Sequence, residues 1–274
     1  MMNIQPGDRI LLTSDVLKLA IKARKVEKEF DVDAFIDSFT EAIGPDGTLL
    51  LPSYNFDLEE GDAYSILDTV PMTGSLAVAA IKREDFIRTT NPLHSFLVWG
   101  KDADHLAGLN NISSFGPDSV FAYLREKNVL MIFAGTSVAE AMTFTHFVEE
   151  SLQVKYRKYK EINLAYTNSK GETSKRAYKL FSKKYGWTMM LHRIEQVLAQ
   201  KTLMRKDING INYSYIRCQD AFEIISKDIN ENSAASIADF NARLYIRDII
   251  KHSLARFNLF RTTYGKIRSG KRIH

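Results

Sequence analysis

The sequence predicts an α/β fold, a β-sheet whose strands are joined by helical crossovers. Apolar runs at Arg9–Thr13, Thr48–Pro52 and Val129–Ala134 read as buried strands. Helical spacing fills the chain between them, most clearly at Phe35, Ile36, Phe39 and Ile43, which fall on one face. The passage from strand through helix to strand within the first 52 residues argues for crossovers rather than hairpins. The 274 residues are 45% hydrophobic and 26% charged, enough for a substantial core.

Taken in order, Pro6–Gly7–Asp8 is a turn and Arg9–Thr13 the first strand. Ser14 and Asp15 can cap a basic helix over Val16–Lys28, and a second helix spans Asp31–Ile43. Gly44–Gly47 turns the chain into the Thr48–Pro52 strand. Asn55–Thr69 is polar and acidic and reads as a loop, followed by a helix over Gly74–Arg83. Asn91–Gly100 is a turn entering a strand, and Asp118–Glu126 a short helix. The Val129–Ala134 strand breaks at Gly135–Thr136–Ser137, and a helical pattern runs on to Glu150. Ile162–Tyr166 and Thr173–Leu180 suggest a hairpin around Ser169–Gly171. Helices over His192–Gln200 and Ala221–Asp228 flank a Gly210–Arg217 strand. Residues 230–274 form a helical, increasingly basic extension, with seven Lys and Arg and no carboxylate after Asp248.

The net charge of +4 hides an asymmetry. Residues 1–150 hold 12 Lys and Arg against 23 Asp and Glu, a balance of −11; residues 151–274 hold 25 against 10, a balance of +15. The halves can attract across a shared core, or the basic half can face an anionic ligand. The single cysteine, Cys218, excludes an internal disulfide and a cysteine-based zinc site and fits a reducing cytoplasm, where the protein is expected to reside. The first residues show no secretory leader, and no apolar run of spanning length occurs.

The strand–turn–helix at 129–150 carries the best candidate chemistry. Residues three and four apart share a helix face, so Met142, His146, Glu149 and Glu150 can lie together. A carboxylate beside an imidazole orients it and suits it to act as a general base. Other chemistries fare worse. The histidines show no H-x-x-x-H pair, so no metal is expected. Neither a G-x-x-x-x-G-K-[ST] nor a G-x-G-x-x-G motif is present. Gly135–Ala139 resembles a nucleophile elbow around Ser137, but Ala139 stands where the motif needs glycine. Aromatics interleave with cations at Lys155–Lys160 and Lys183–Trp187, yet the acidic first half argues against a nucleic-acid partner.

Six ordered segments, Gly7–Leu12, Ala42–Tyr54, Met72–Leu76, Asn91–Gly100, Phe115–Ser119 and Thr145–Glu150, resemble motifs of the aminoglycoside 3-N-acetyltransferase family, the antibiotic N-acetyltransferases. The likeness runs from about residue 6 to 228, which sets an acyltransferase domain of 1–229 against the 230–274 extension. It implies a single α/β domain with a central mixed sheet flanked by helices. It further implies acyl transfer from acetyl-CoA or another acyl-CoA to an amine, without a metal. His146 takes the place of the family's general base, with Glu149 or Glu150 as its carboxylate. Thr13, Ser14, Asn91, His94, Ser95 and Ser119 match positions lining the donor and catalytic region. Tyr54 and Thr73 match positions toward the acceptor, and the acidic loop adds Asp57.

Departures matter too. The family's "HSS" is Thr13–Ser14–Asp15, its glycine-rich stretch is the charged Lys25–Asp33, the first histidine of the fourth motif is Asn91, and an arginine position is Pro71. The same chemistry with an altered acceptor is expected: an amino sugar, either an aminoglycoside or a nucleotide-linked sugar of surface polysaccharide synthesis. The alternative is a non-catalytic relative that binds a sugar or CoA. Ile250, Leu254 and Phe257 on one face of the basic 249–274 tail suggest a peripheral contact with a membrane or partner.

Overall fold

The computed structural model describes residues 2, 4–25, 27–251 and 253. In chain order the elements are β1 (Arg9–Ser14), α1 (Val16–Arg24), α2 (Val32–Ile43), β2 (Thr48–Tyr54), β3 (Ala63–Ser65), α3 (Ser75–Ala80), β4 (Ile87–Arg88), β5 (His94–Gly100), α4 (Ala103–Ala107), α5 (Val120–Glu126), β6 (Leu130–Ala134), α6 (Val138–Ala141), α7 (Phe144–Ser151), β7 (Arg157–Thr167), β8 (Thr173–Lys183), β9 (Trp187–Met189), α8 (Leu191–Ala199), β10 (Met204–Ile208), β11 (Ile211–Arg217), α9 (Cys218–Glu231) and β12 (Ala238–Phe240). The main sheet has the order β10-β11-β6-β1-β2-β5-β4. Its centre is parallel, β6 and β2 both pairing with β1, while β11 and β5 add antiparallel on either side. The expected α/β fold with a mixed sheet is what forms.

Both faces of that sheet are covered, which is why its central strands are unbroken apolar runs. Along β1, Ile10 and Leu12 enter the core beneath α2 and α3, while Leu11 enters the opposite core with Met131 and Phe133 of β6. Each such buried side chain contributes about 1.5–3 kcal/mol, more than the net ~1 kcal/mol of a ladder hydrogen bond. Side-chain alternation therefore sets the register. Among the described residues no helix is long and apolar enough to cross a membrane.

Several local readings change. The expected 55–69 loop contains β3, which pairs in parallel with β7 and buries Tyr64 against Tyr166, ring centroids 5.6 Å apart. Its acidic neighbours mask that period-two pattern in the sequence. The helix expected from the 135–137 turn to Glu150 is two helices: Met142 leaves helical geometry at φ −84°, ψ 73°, and Thr143 starts α7. Met142 is thus not on the His146 face; it is buried in the core. Ser137, the elbow residue, caps α6 in a reciprocal box with Glu140. At the other end, α9 runs through the expected 229/230 boundary, and β12 pairs with β9 while Ala234, Ile237 and Ala238 join the main core. Residues 242–251 are helical and Ile250 is exposed. Leu254 and Phe257, the other residues of the suggested tail contact, lie outside the described residues.

Arg88 fixes the 55–69 segment to the sheet. It is buried, and its charge meets only neutral groups: Nε donates to Ser95 Oγ (3.0 Å), Nη1 to the Thr69 carbonyl (2.6 Å), and Nη2 to the Ser53 carbonyl (3.0 Å) and Asn55 Oδ1 (2.8 Å). The guanidinium also lies over the Tyr64 ring at 5.2 Å. Removing it strands several buried acceptors at once. Arg88→Ala is expected to cost about 3 kcal/mol or more in urea denaturation; a loss below 1 kcal/mol contradicts this role.

Candidate active site

The parallel strands β6, β1 and β2 end at the same side of the sheet, where α/β folds hold ligands. A small cavity of about 180 Å³ lies there, lined among others by Thr13, Ser14, Tyr54, Thr73 and Thr143. Four residues expected from sequence to touch donor or acceptor thus share one pocket. Among the described residues the buried Ser14 Oγ has no hydrogen-bond partner. Thr143 starts α7 and accepts the backbone N–H of His146 at 2.9 Å, so the pocket adjoins the histidine by one turn. Tyr54 is packed against His94 (5.0 Å between rings), and Phe115 bridges His94 (4.6 Å) to His146 (5.7 Å).

His146 keeps 24% of its side-chain surface exposed, while Glu149 is fully buried. Their i, i+3 spacing on α7 brings Nδ1 within 2.7 Å of Glu149 Oε2. The carboxylate is held from two further directions. Tyr156 donates to Oε1 at 2.8 Å, and Arg157 Nε stands 2.7 Å from Oε2. Arg157 is itself tied to the Phe181 carbonyl (2.8 Å). Burial pushes the Glu149 carboxyl up, but the hydrogen bond and charge of His146, then Arg157 and Tyr156, outweigh it and hold the group below its ordinary value. Arg157 Nη2 also lies 2.9 Å from His146 Nδ1. Nδ1 can serve one partner at a time: as N–H it donates to Glu149, as a lone pair it accepts from Arg157. Only the first arrangement leaves a lone pair on Nε2 to take a proton from a substrate.

The two expected carboxylates therefore part. Glu150, one residue on, turns to the other flank of α7, where Ser113 donates to it at 2.6 Å and Tyr159 at 3.3 Å. Burial pushes its carboxyl up. It lines a larger cavity of about 700 Å³ with Glu126, Glu223, Phe222 and Arg125, and His146 is not among that cavity's walls. Asn91, Ser95 and Ser119 are buried in internal hydrogen bonds. Asn91 Oδ1 accepts from the His94 amide at 3.1 Å, Ser95 Oγ donates to the Ser53 carbonyl, and Ser119 caps α5. Asp57 is exposed on the 55–69 segment. His94 is buried among aromatics with Nδ1 unpartnered; that burial, with the charge of His146, pushes its imidazole down to about 3. The residues that sequence reading missed are Arg157 and Tyr156. They sit in the Lys155–Lys160 run, and only their burial separates them from the exposed lysines beside them.

An imidazole oriented by a buried carboxylate thus stands one helical turn from Thr143, which lines a strand-end pocket together with Ser14, and an imidazole so held can take up a proton. The model of the aminoglycoside 3-N-acetyltransferase family matches residues 23–229, and the chain belongs to that family. Its fold is similar to aminoglycoside acetyltransferase AAC(3)-Xa (TM-score 0.71, 17% identity, covering 84% of this chain and 89% of that one). It is likewise similar to AAC-IIIb in a binary complex with CoASH (TM-score 0.70, 16%, 84% and 92%). The same holds for sisomicin-bound AAC-VIa (TM-score 0.70, 16%, 84% and 94%). No curated protein matches the chain.

The buried neutral His94 gives stability a pH dependence of definite sign. The unfolded chain binds a proton there below its ordinary value of 6.5, whereas the folded chain resists until about 3. Stability is therefore full above about pH 6.5 and falls as pH drops, by up to about 1.4 kcal/mol per unit from this group. The Glu149 contribution is lost only lower, below the ordinary 4.5 of a glutamate. Denaturant titrations at pH 7, 6 and 5 should show a decline in the native chain and a flatter profile in His94→Gln; parallel profiles overturn the assignment.

Proposed function

We propose that the chain transfers an acyl group from an acyl-CoA thioester to the amine of an amino sugar. The observation that carries this reading is the His146–Glu149 pair, oriented by buried partners and adjoining a strand-end pocket, in a chain of this family. An ammonium cannot attack a thioester. His146 Nε2, with Nδ1–H donated to Glu149, takes the proton as nitrogen attacks the carbonyl carbon; the thiolate then leaves as CoA and no covalent enzyme intermediate is needed. Charge developing on the thioester oxygen needs a donor, and Ser14 Oγ is the unpartnered hydroxyl on hand. The solved relative bound to CoASH supports the donor class, and the sisomicin-bound relative supports a cationic amino sugar as acceptor. Carboxylates suited to such a cation are Asp57 on the exposed segment and Glu150 on the far flank of α7.

Release of CoA thiol from acetyl-CoA, followed across a panel of aminoglycosides, nucleotide-linked amino sugars and simple amines, tests the reading. His146→Ala is expected to lower kcat about 10²–10⁴-fold on the best acceptor; an unchanged rate removes His146 as the base. If no acyl-CoA binds or turns over with any amine, the non-catalytic reading takes its place. Glu149→Gln separates orientation from burial. Its amide can offer N–H to Nδ1 and so favour the tautomer with Nε2 protonated, and kcat is expected to fall at least about 10²-fold with KM for the amine little changed.

A further inference from the structure

The cavity of about 700 Å³ on the far flank of α7 lies apart from the His146–Glu149 pair, since neither residue is among its walls. Phe115 stands between them: it lines the cavity and packs against the His146 ring at 5.7 Å. Helices α5, α7 and α9 enclose the space. Phe147 and Phe222, ring centroids 6.1 Å apart, give it an apolar side. Among the described residues its walls hold three carboxylates, Glu126, Glu150 and Glu223, against one guanidinium, Arg125. Glu126 and Glu223 are exposed, while Glu150 keeps only 5% of its surface.

Surface carboxylates alone need only water. Glu150 is a different case. Ser113 donates to its Oε1 at 2.6 Å, and Tyr159 to the same oxygen at 3.3 Å. Gln153 braces Tyr159 in turn, donating to its hydroxyl at 3.0 Å. Oε2 is buried and, among the described residues, has no hydrogen-bond partner. A carboxylate oxygen left bare out of water costs its full desolvation. Arg125, the cation of these walls, lies with its guanidinium over the Phe222 ring, 3.5 Å from the centroid. What Oε2 lacks is a donor, and a positively charged donor makes the strongest bond to a carboxylate. Among the described residues no three His, Cys, Asp or Glu side chains are placed to hold a metal ion, which points to an organic ammonium.

We propose that this cavity is a second ligand site, separate from the site of acyl transfer, and that it takes an aliphatic diamine or oligoamine. One ammonium donates to Glu150 Oε2 at the buried end. The carbon chain lies along Phe147 and Phe222, whose rings suit both methylene groups and cations. A further ammonium meets Glu126 and Glu223 at the exposed end. The site stands whether or not the chain uses an acyl-CoA, because none of these residues belongs to the His146–Glu149 pair or to the strand-end pocket. An amine held here is not presented to His146 and is a bound ligand rather than the group acylated.

Calorimetric titration of the full chain with cadaverine, spermidine, pentylamine and pentane-1,5-diol, with no acyl donor present, tests this directly. The two polyamines are expected to bind more tightly than pentylamine, and the diol not at all. Glu150→Gln keeps the shape and removes the charge, and should weaken cadaverine about 10–100-fold. Because Glu150 is buried, thermal unfolding of that variant checks its fold. The exposed pair Glu126→Gln/Glu223→Gln gives an independent reading: about two- to fivefold weaker cadaverine per charge removed, with pentylamine unchanged. In the CoA-release assay this double variant should keep the native KM for the best acceptor. A native chain that binds no diamine, or binds the diol as well as the diamine, overturns the site. So does a cadaverine affinity that survives both variants. A rise in acceptor KM matching the loss of cadaverine assigns the cavity to the acceptor and overturns a separate site.

Discussion

A single carboxylate with no access to water organises this molecule. Glu149 is fully buried on α7, and an ionised carboxylate in such a place costs several kcal/mol unless charge and hydrogen bonds surround it. Its partners arrive by a tight route. Gln153 takes φ +48° and the Val154 amide bonds back to the Glu149 carbonyl at 3.2 Å, reversing the chain so that Tyr156 and Arg157 return beneath the helix they have just left. Arg157 then reaches the Phe181 carbonyl of β8 and, at 3.4 Å, Met189 Sδ of β9. One buried charge thus ties α7 to three strands. Among the described residues His146 is the most exposed partner of the Glu149 carboxylate, 24% against 6% for the Arg157 side chain, which makes it the member best placed to meet a substrate.

Arg88 shows the opposite solution to the same problem. Among the described residues its buried guanidinium has no counter-charge, and burial lowers its proton affinity, yet carbonyls, an amide oxygen and a hydroxyl take up its donors. That arrangement holds the end of β2, and so keeps Tyr54 against His94 and His94 against Phe115. The aromatic chain from Tyr54 to His146 is therefore set by a cation at one end and an anion at the other. Neither charge is spent on the surface, where an ion pair is worth about 1 kcal/mol or less.

The sequence disclosed whatever depends on spacing. Strands in unbroken apolar runs, helices with a three-to-four rhythm and the His146–Glu149 pair at i, i+3 are all local consequences of backbone geometry. What it concealed depends on which of several like residues is buried. Glu149 and Glu150 are chemically identical neighbours, and a helix turns them about 100° apart, one into the protein and one toward Ser113 and Tyr159. Arg157 looks like Lys158 and Lys160 in a basic run, and only the strand that it begins turns it inward. Likewise Asn91, Ser95 and Ser119 stand at matching motif positions, but their hydrogen bonds go to the fold, which no spacing rule reveals. The break at Met142 carries no proline or glycine to announce it; core packing of that side chain overrides helix propensity.

The charge asymmetry between the two halves finds its meaning in the same contacts. If the halves were separate bodies, −11 and +15 would describe two surfaces drawn together. Instead β11 of the basic half inserts beside β6 of the acidic half, and one core receives side chains from both. The opposite charges meet at particular places: Arg157 on Glu149, and Arg217 on Asp8 at 3.1 Å across more than two hundred residues of chain. The first half supplies the imidazole and its carboxylate, and the second supplies the cation that lets the carboxylate stay ionised out of water. A site built this way cannot form until both halves have folded onto one sheet.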